Sequence, residues 1–421
     1  VAAQGRGLEE TAVVVRSLLA DAGASRSDIV RVPDAAPAVL AEFDGRSDRT
    51  LLFYDHYDVQ PAEPLAEWTA PPFELTQRDG RLYGRGTGDN KGDLITRIAA
   101  IRLLSDAHGG LPCRVRFLVE GEEEVGSPHI GAYADGFRDR LTADACIWEY
   151  GDRDPDGRVH VIAGMKGICY VELELTATNE DLHSMWGAIV EGAASRMSLL
   201  LAGLKDARGR ILIPGFYGAV TPPSAEAAAA ADAVPVDERF VRSYTGTSGH
   251  VEDRAGIMRR LLFDPTCTVC GIDSGYAGSG MKTVLPQRAR AKVDFRLVPD
   301  QDPAEIVRRL RAHLDANGFE DCAITPMSRE HAFQTDLAAP FVQVVVDAAR
   351  AATGREIVLL PTSPGTGPMY ALGGALGMPL VSVGTGYWGG NIHAPDEHIR
   401  LDDFVETIHM IAHLIDRFAG A

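Results

Sequence analysis

Three short apolar runs, each ending abruptly in acidic or histidine residues, constrain this chain more than any other feature. Leu51-Leu52-Phe53-Tyr54 gives way to Asp55-His56-Tyr57-Asp58, Val115 to Glu120 leads into Glu122-Glu123-Glu124, and Ala145 to Trp148 leads into Glu149. A compact apolar run with a polar tip reads as a buried strand, and an open α/β sheet presents its chemistry at such strand ends. Helical periodicity from Leu8 to Ala22 and over residues 93–105 (DLITRIAAIRLLS) lies among them. Strand, polar tip and helix therefore repeat, as in an α/β domain.

Beyond residue 165 the pattern changes. Cys169 to Ala177 (CYVELELTA) and Lys292 to Val298 (KVDFRLV) alternate apolar and polar residues, as strands with one wet face do. Helices are expected near 188–205 and over 303–317, with a loop at Pro214, Pro222 and Pro223 between them. The alanine-rich stretch 225–234 reads as a surface helix or loop without function. From about residue 335 the α/β pattern returns: a helix over 340–353, strands at 356–360 and 379–383, and a closing helix over 401–419. The simplest account is one α/β domain, residues 1–165 and 333–421, interrupted by an α+β insert at 166–332. No internal repeat is visible.

Composition removes several classes of partner. The 421 residues exceed what one simple core accommodates. Acidic residues outnumber basic ones 59 to 41, so nucleic acid and anionic membranes are poor partners. No run reaches the roughly 18 apolar residues of a membrane span. The first residues, Val1-Ala2-Ala3-Gln4, lack the basic and apolar parts of a signal peptide, and the cytoplasm is the expected compartment. Six cysteines are too few for a disulfide scaffold. Cys267-Thr-Val-Cys270 has CxxC spacing, but with no second pair or histidine cluster nearby it reads as a half-buried strand.

The candidate chemistry is a mixed set of histidines and carboxylates: His56, Asp89, the Glu122–Glu124 triplet, Glu149 and His393. Such donors suit zinc, manganese or cobalt. Two such ions ~3.5–4 Å apart can share one bridging carboxylate and one bridging hydroxide. Each signal alone is weak. A single His-x-Asp is more often structural, and a glutamate triplet is usually a solvated charge run. The segment Gly84-Arg-Gly-Thr-Gly-Asp89-Asn-Lys-Gly92 matches neither the P-loop nor the dinucleotide fingerprint. Glycine there allows a sharp turn that brings Asp89 inward. The joint placement at strand ends carries the argument.

These residues sit in longer blocks. Tyr54-Asp-His-Tyr-Asp-Val-Gln-Pro61, Trp68, Pro72-Phe73, Gly80-Arg-Leu-Tyr-Gly-Arg-Gly86 and Asp89-Asn-Lys-Gly92 come first. Glu120-Gly-Glu-Glu-Glu-Val-Gly-Ser127, Asp181-Leu-His-Ser184, Lys282-Thr-Val-Leu-Pro286, Phe295-Arg-Leu-Val-Pro299 and Asn391-Ile-His-Ala-Pro-Asp-Glu397 follow. In this order the chain resembles the M20 metallopeptidases, and among them the carnosinase-like dipeptidases.

The resemblance implies a zinc-peptidase-like catalytic domain, a mixed sheet flanked by helices, interrupted by a lid and dimerisation domain. It implies two divalent ions per subunit, zinc first, with manganese or cobalt acceptable. Asp89 would bridge them, His56 and Glu149 would complete one site, and Glu124 and His393 the other. Glu123, before the ligand and the Val125-Gly126-Ser127 turn, would be the general base, moving a proton from the bridging water to the leaving amine. Glu122 would be left solvent-facing or structural. Asp58 would fix the tautomer of His56, and the Asp89–Asn90 peptide bond would be cis. His183 would stabilise the oxyanion, reaching the partner subunit's site in a homodimer formed through the lid. Arg296 would pair with a substrate carboxylate, and Thr283 and Thr366 would add hydrogen bonds.

The implied reaction is cleavage of a peptide bond in a dipeptide or small peptide with a free carboxylate. The same metal site would also serve an N-acyl-amino-acid deacylase or a biosynthetic amidase. A non-catalytic relative would be expected to lose ligands, and all five are present. The chain departs from the family pattern in four places. Asp55 replaces the usual glycine before the first histidine, and Asn90 replaces a second aspartate. Met185-Trp186-Gly187-Ala188 follows Asp-Leu-His-Ser where glycines are usual, so these side chains either reshape the pocket or belong to the lid core. The N-terminal segment is short against the family pattern.

Overall fold

A computed structural model of the protein describes residues 1–234, 236, 238–247 and 254–420. Its larger sheet has eight strands, in the order Arg26–Val30, Ala38–Phe43, Leu111–Glu120, Gly45–His56, Ala145–Trp148, Leu380–Ser382, His160–Ile162 and Val358–Leu360. Gly45–His56 runs parallel to both of its neighbours, and Leu380–Ser382 runs parallel to Ala145–Trp148 but antiparallel to His160–Ile162. The sheet is therefore mixed, and helices cover both faces.

The continuous apolar runs follow from that double cover. Leu51 and Phe53 belong to one core, with residues of the helices Gly92–His108, Pro340–Thr353 and Leu401–Gly420. Leu52 and Tyr54 point the other way, into a core with Ile130, Tyr133, Met369 and Leu372. A strand buried on both faces has no polar side to alternate with. All four residues are fully buried, and each apolar side chain so placed contributes about 1.5–3 kcal/mol.

The second sheet is antiparallel throughout, in the order Thr268–Ser274, Arg288–Leu297, Gly167–Thr176 and Ala323–Glu330. Cys169, Val171, Leu173 and Leu175 turn inward against the helices Ala193–Ala202 and Pro303–Ala316, whose Met197, Leu200, Ile306 and Leu310 complete a separate core. The chain passes between the two sheets at a short antiparallel pair, Gly164–Met165 with Phe333–Gln334. The protein is thus an α/β fold interrupted by an α+β insert. No described helix is long and apolar enough to cross a membrane.

Three local expectations need correction. The helix expected near 188–205 covers only Ala193–Ala202, because Ser184–Ala188 forms a separate 3-10 turn. The alanine-rich stretch is a helix, Ala225–Ala233, capped by the Ser224 hydroxyl, which accepts from the Ala227 N–H (3.1 Å). It is not mere surface: Ala231 and Val234 pack with Ile257 and Leu262 against Ile162, Val358 and Leu360 at the edge of the large sheet. The CxxC pair is split, with Cys267 buried before the strand and Cys270 exposed on it, and all six cysteines are free.

Candidate metal centre

Three strands of the large sheet deliver side chains to one place. His56 ends Gly45–His56, Glu149 follows Ala145–Trp148, and Glu123 and Glu124 sit in a 3-10 turn three residues past Leu111–Glu120. Asp89 comes from the glycine-rich turn Thr87–Lys91, and its peptide bond to Asn90 is cis. Gly86 starts that turn at φ 89°, a left-handed conformation open to glycine. His393 arrives from the segment before His398–Arg400.

The structure gathers these residues into two groups, His56–Glu123–Glu149 and Asp89–Glu124–His393, with ligand atoms within 4.8 Å of one another in each. Asp89 touches both. Its Oδ1 lies 2.9 Å from His56 Nε2 and its Oδ2 lies 3.1 Å from His393 Nε2. Glu124 Oε2 is 3.2 Å from His393 Nε2, and Glu149 Oε2 is 3.2 Å from His56 Nε2. Asp58 Oδ1 is 3.3 Å from His56 Nδ1. The Asp58 carboxylate also accepts the N–H groups of Glu123 (3.3 Å) and Glu124 (3.0 Å), so it ties the first histidine to the glutamate turn. Glu122 is half-buried and paired with His129 Nδ1 (2.8 Å), which makes it part of the scaffold.

The electrostatics are those of a site with more carboxylate than it can leave uncompensated. Burial pushes Glu123 up to about 7, with the charges of Asp89 and Glu124 adding to it. Burial and the neighbouring Glu123 raise Glu149 well above the usual range. Burial opposes charge on His56, yet Glu149, Asp58 and Asp89 outweigh it and raise its pKa. Hydrogen bonds to Asp89 and Glu124 push His393 up to about 10. Asp89 is itself held low: burial raises it, and its bonds to the two histidines win. The Glu149 Oε2 atom is buried without a hydrogen bond. A donor set of imidazoles and carboxylates, with a buried oxygen that faces His56 Nε2 but makes no hydrogen bond, fits divalent cations, which would replace the protons that these groups otherwise hold.

Metal binding should therefore release protons. His393, pushed up to about 10, carries a proton at pH 7 without metal, and the carboxylates around His56 favour its charged form as well. Calorimetric titration with zinc in buffers of different ionisation enthalpy is expected to show net proton release at pH 7, and affinity that rises with pH. Binding with no proton release would contradict this electrostatic picture.

Two residues outside the candidate set position it. Gln60 grips Glu124 through three contacts: its N–H to Oε1 (2.9 Å), and its Nε2 to Oε2 (2.8 Å) and to the backbone oxygen (3.2 Å). Glu397 is fully buried, and its Oε1 accepts the N–H groups of Gly86 (3.1 Å), Gly88 (2.9 Å) and Asp89 (3.1 Å), while Oε2 pairs with Arg85 (2.5 Å). The sequence signal was present in both cases. Gln60 continues the alternation His56-x-Asp58-x-Gln60, and Glu397 closes the block that starts at Asn391.

The remaining candidates form two pairs, His183–Thr283 within the insert and Arg296 of the insert with Thr366 of the α/β domain. Arg296 donates to the Thr366 hydroxyl (2.8 Å) and is 3.1 Å from Asp294. His183 Nε2 is 3.2 Å from the Thr283 hydroxyl, and its Nδ1 accepts the Met185 N–H (3.1 Å). Among the described residues no hydrogen bond or ion pair joins either pair to the ligand groups. Met185 is 71% and Trp186 45% exposed, so neither belongs to a lid core.

A mixed sheet with two histidine–carboxylate groups at its strand ends and an inserted antiparallel sheet is metallopeptidase architecture. A family model described as "Peptidase family M20/M25/M40" matches residues 52–417, and the chain belongs to that family. The chain is 35% identical to the M20 family metallo-carboxypeptidase Sso-CP2 from Sulfolobus solfataricus, with a TM-score of 0.95 covering 100% of this chain and 96% of that one. The structure of human carnosine dipeptidase 1 matches at 25% identity and a TM-score of 0.79, covering 98% of this chain and 91% of that one. The Beta-Ala-His dipeptidase of Rattus norvegicus is 29% identical over 299 residues, which is 69% of this chain and 61% of that protein. The match thus spans about six-tenths of that curated relative.

Proposed function

We propose that this protein is a dinuclear metal-dependent hydrolase that cleaves the peptide bond of a dipeptide or small peptide with a free carboxylate beside the scissile bond. The observation that carries the proposal is Asp89, whose two oxygens face His56 and His393 from between the two ligand groups. His56 and Glu149 would hold one ion, Glu124 and His393 the other, and Asp89 both; zinc fits first, with manganese and cobalt next. When bound, the ions supply Lewis-acid activation of water and of the scissile carbonyl.

The chain's own groups do the rest. Glu123 takes a proton from the attacking water and delivers it to the leaving nitrogen. Asp58 holds His56 and the glutamate turn in register. His183 accepts the Met185 N–H at Nδ1, so its neutral ring carries the proton on Nε2, the form that can donate to a developing oxyanion. Arg296, with Thr366, receives the substrate carboxylate, and Thr283 supports His183. Residues 166–332 are the lid, and we place a homodimer contact on it. The names of the relatives support the substrate class, because a dipeptidase and a carboxypeptidase both cut beside a terminal carboxylate.

The test is metal analysis with a substrate panel. Two divalent ions per chain and turnover of dipeptides are expected. Turnover of N-acyl amino acids without any dipeptide would move the assignment to the deacylase alternative. No metal uptake and no hydrolysis with added zinc or manganese would defeat it. Arg296→Lys is expected to raise KM about tenfold with little change in kcat, because an ammonium cannot reproduce a bidentate guanidinium contact. An unchanged KM would remove Arg296 from the carboxylate site.

A further inference from the structure

Asp55 and Asn90 are the two departures nearest the ligands, and the structure places them against each other. Both are fully buried. The Asn90 amide orientation that satisfies both neighbours has Nδ2 donating to Asp55 Oδ1 (2.9 Å) and the amide oxygen accepting the Tyr150 N–H (3.0 Å). Each residue in this chain of contacts is the sequence neighbour of one ligand. Asp55 precedes His56, Asn90 follows Asp89, and Tyr150 follows Glu149.

Arg97 closes the network from beneath. Its guanidinium pairs with Asp55 Oδ1 (2.8 Å) and donates to the carbonyls of Tyr54 (2.6 Å) and Trp148 (2.8 Å). The ends of two strands and the glycine-rich turn thus meet at one buried arginine–aspartate–asparagine unit.

We propose that Asn90 is a positioning residue that sets the mutual spacing of His56, Asp89 and Glu149, and that Asp55 and Asn90 form a matched pair. The chemistry is reciprocal. Asn90 needs an acceptor for its amide protons, and Asp55 Oδ1 takes a neutral donor from Asn90 beside the charged one from Arg97. An aspartate at position 90 would set a second carboxylate against Asp55 in a fully buried place, so that the pair could not both ionise. A glycine at position 55 would leave the Asn90 amide without its acceptor and Arg97 without its counter-ion.

The inference rests on the metal-site reading above, and the wild-type protein tests that reading separately: no metal uptake by the wild type defeats the site, whatever the variants do. Given wild-type binding, zinc affinity is measured for Asn90→Asp, Asp55→Asn and the double variant Asp55→Asn/Asn90→Asp, with metal-free thermal stability as a second readout. Asn90→Asp is expected to bind about 10–100-fold more weakly, the usual cost of losing a group that orients a ligand. The double variant swaps donor and acceptor and is expected to recover at least tenfold of that loss. In turnover the single variant lowers kcat while KM stays within about twofold, because the substrate-carboxylate site is elsewhere. Wild-type affinity in Asn90→Asp overturns the positioning role. A double variant no better than Asn90→Asp overturns the matched pair. Should Asn90→Asp fail to fold, Asn90→Ala removes the bridge without adding charge, and wild-type zinc affinity in that variant overturns the proposal equally.

Discussion

Glu123→Gln is expected to lower kcat by about 10²–10⁴-fold while both metal ions stay bound. Glutamine keeps the shape of the side chain and its place in the 3-10 turn, where the backbone N–H still bonds to Asp58. It cannot accept a proton. In the metal-free protein burial brings the Glu123 carboxyl up to about 7; bound cations would lower it and leave a carboxylate ready to take a proton from water and return it to an amine. The competing role is also visible, because Glu123 groups with His56 and Glu149 as a potential ligand. Metal content of the variant separates the two. Loss of one ion would assign Glu123 as a ligand, and near-normal turnover would remove it as the base.

The largest expected effect on stability comes from Arg97→Met. The methionine fills much of the same volume but leaves Asp55 and the carbonyls of Tyr54 and Trp148 without their shared donor. An uncompensated buried charge typically costs about 3–5 kcal/mol, a large fraction of a domain's net stability. Urea denaturation of the metal-free protein measures it. A loss below about 1 kcal/mol would show that Asp55 finds another partner or sits protonated without strain. Arg97→Lys should fall between the two, since one ammonium cannot serve three acceptors in a plane.

What the sequence made legible follows from what leaves a pattern. The strand Gly45–His56 ends in an apolar run packed on both faces, and the strand Gly167–Thr176 alternates because one face is wet. Period and burial therefore announced both sheets. Of the six residues now grouped, His56, Glu123, Glu124 and Glu149 stood out because histidines and carboxylates just past apolar runs are uncommon without a role, and Asp89 and His393 through the blocks that carry them. Other features carry no such signature. His160–Ile162 is three residues long, too short for a period to show. Glu397 closes the Asn391 block, but that it acts by accepting main-chain N–H groups more than 300 residues away is visible only in the fold. The hydrogen bond between Asp55 and Asn90 could be noticed only as two departures, and their relation needed the fold. The burial of Ala231 was hidden because alanine is equally at home inside and outside a helix bundle.

The position of Leu380–Ser382 has a consequence for how the molecule is made. This strand lies inside the large sheet, between Ala145–Trp148 and His160–Ile162, rather than at its edge. A nascent chain that stops short of it has a gap where an interior strand belongs, and lacks His393 as well. The first half must wait, with apolar strand edges open, while the whole intervening sheet is synthesised. Sheet closure and the last metal ligand then arrive together. Truncated products should be aggregation-prone and chaperone-dependent rather than partly active, and metal capture should mark the completion of folding.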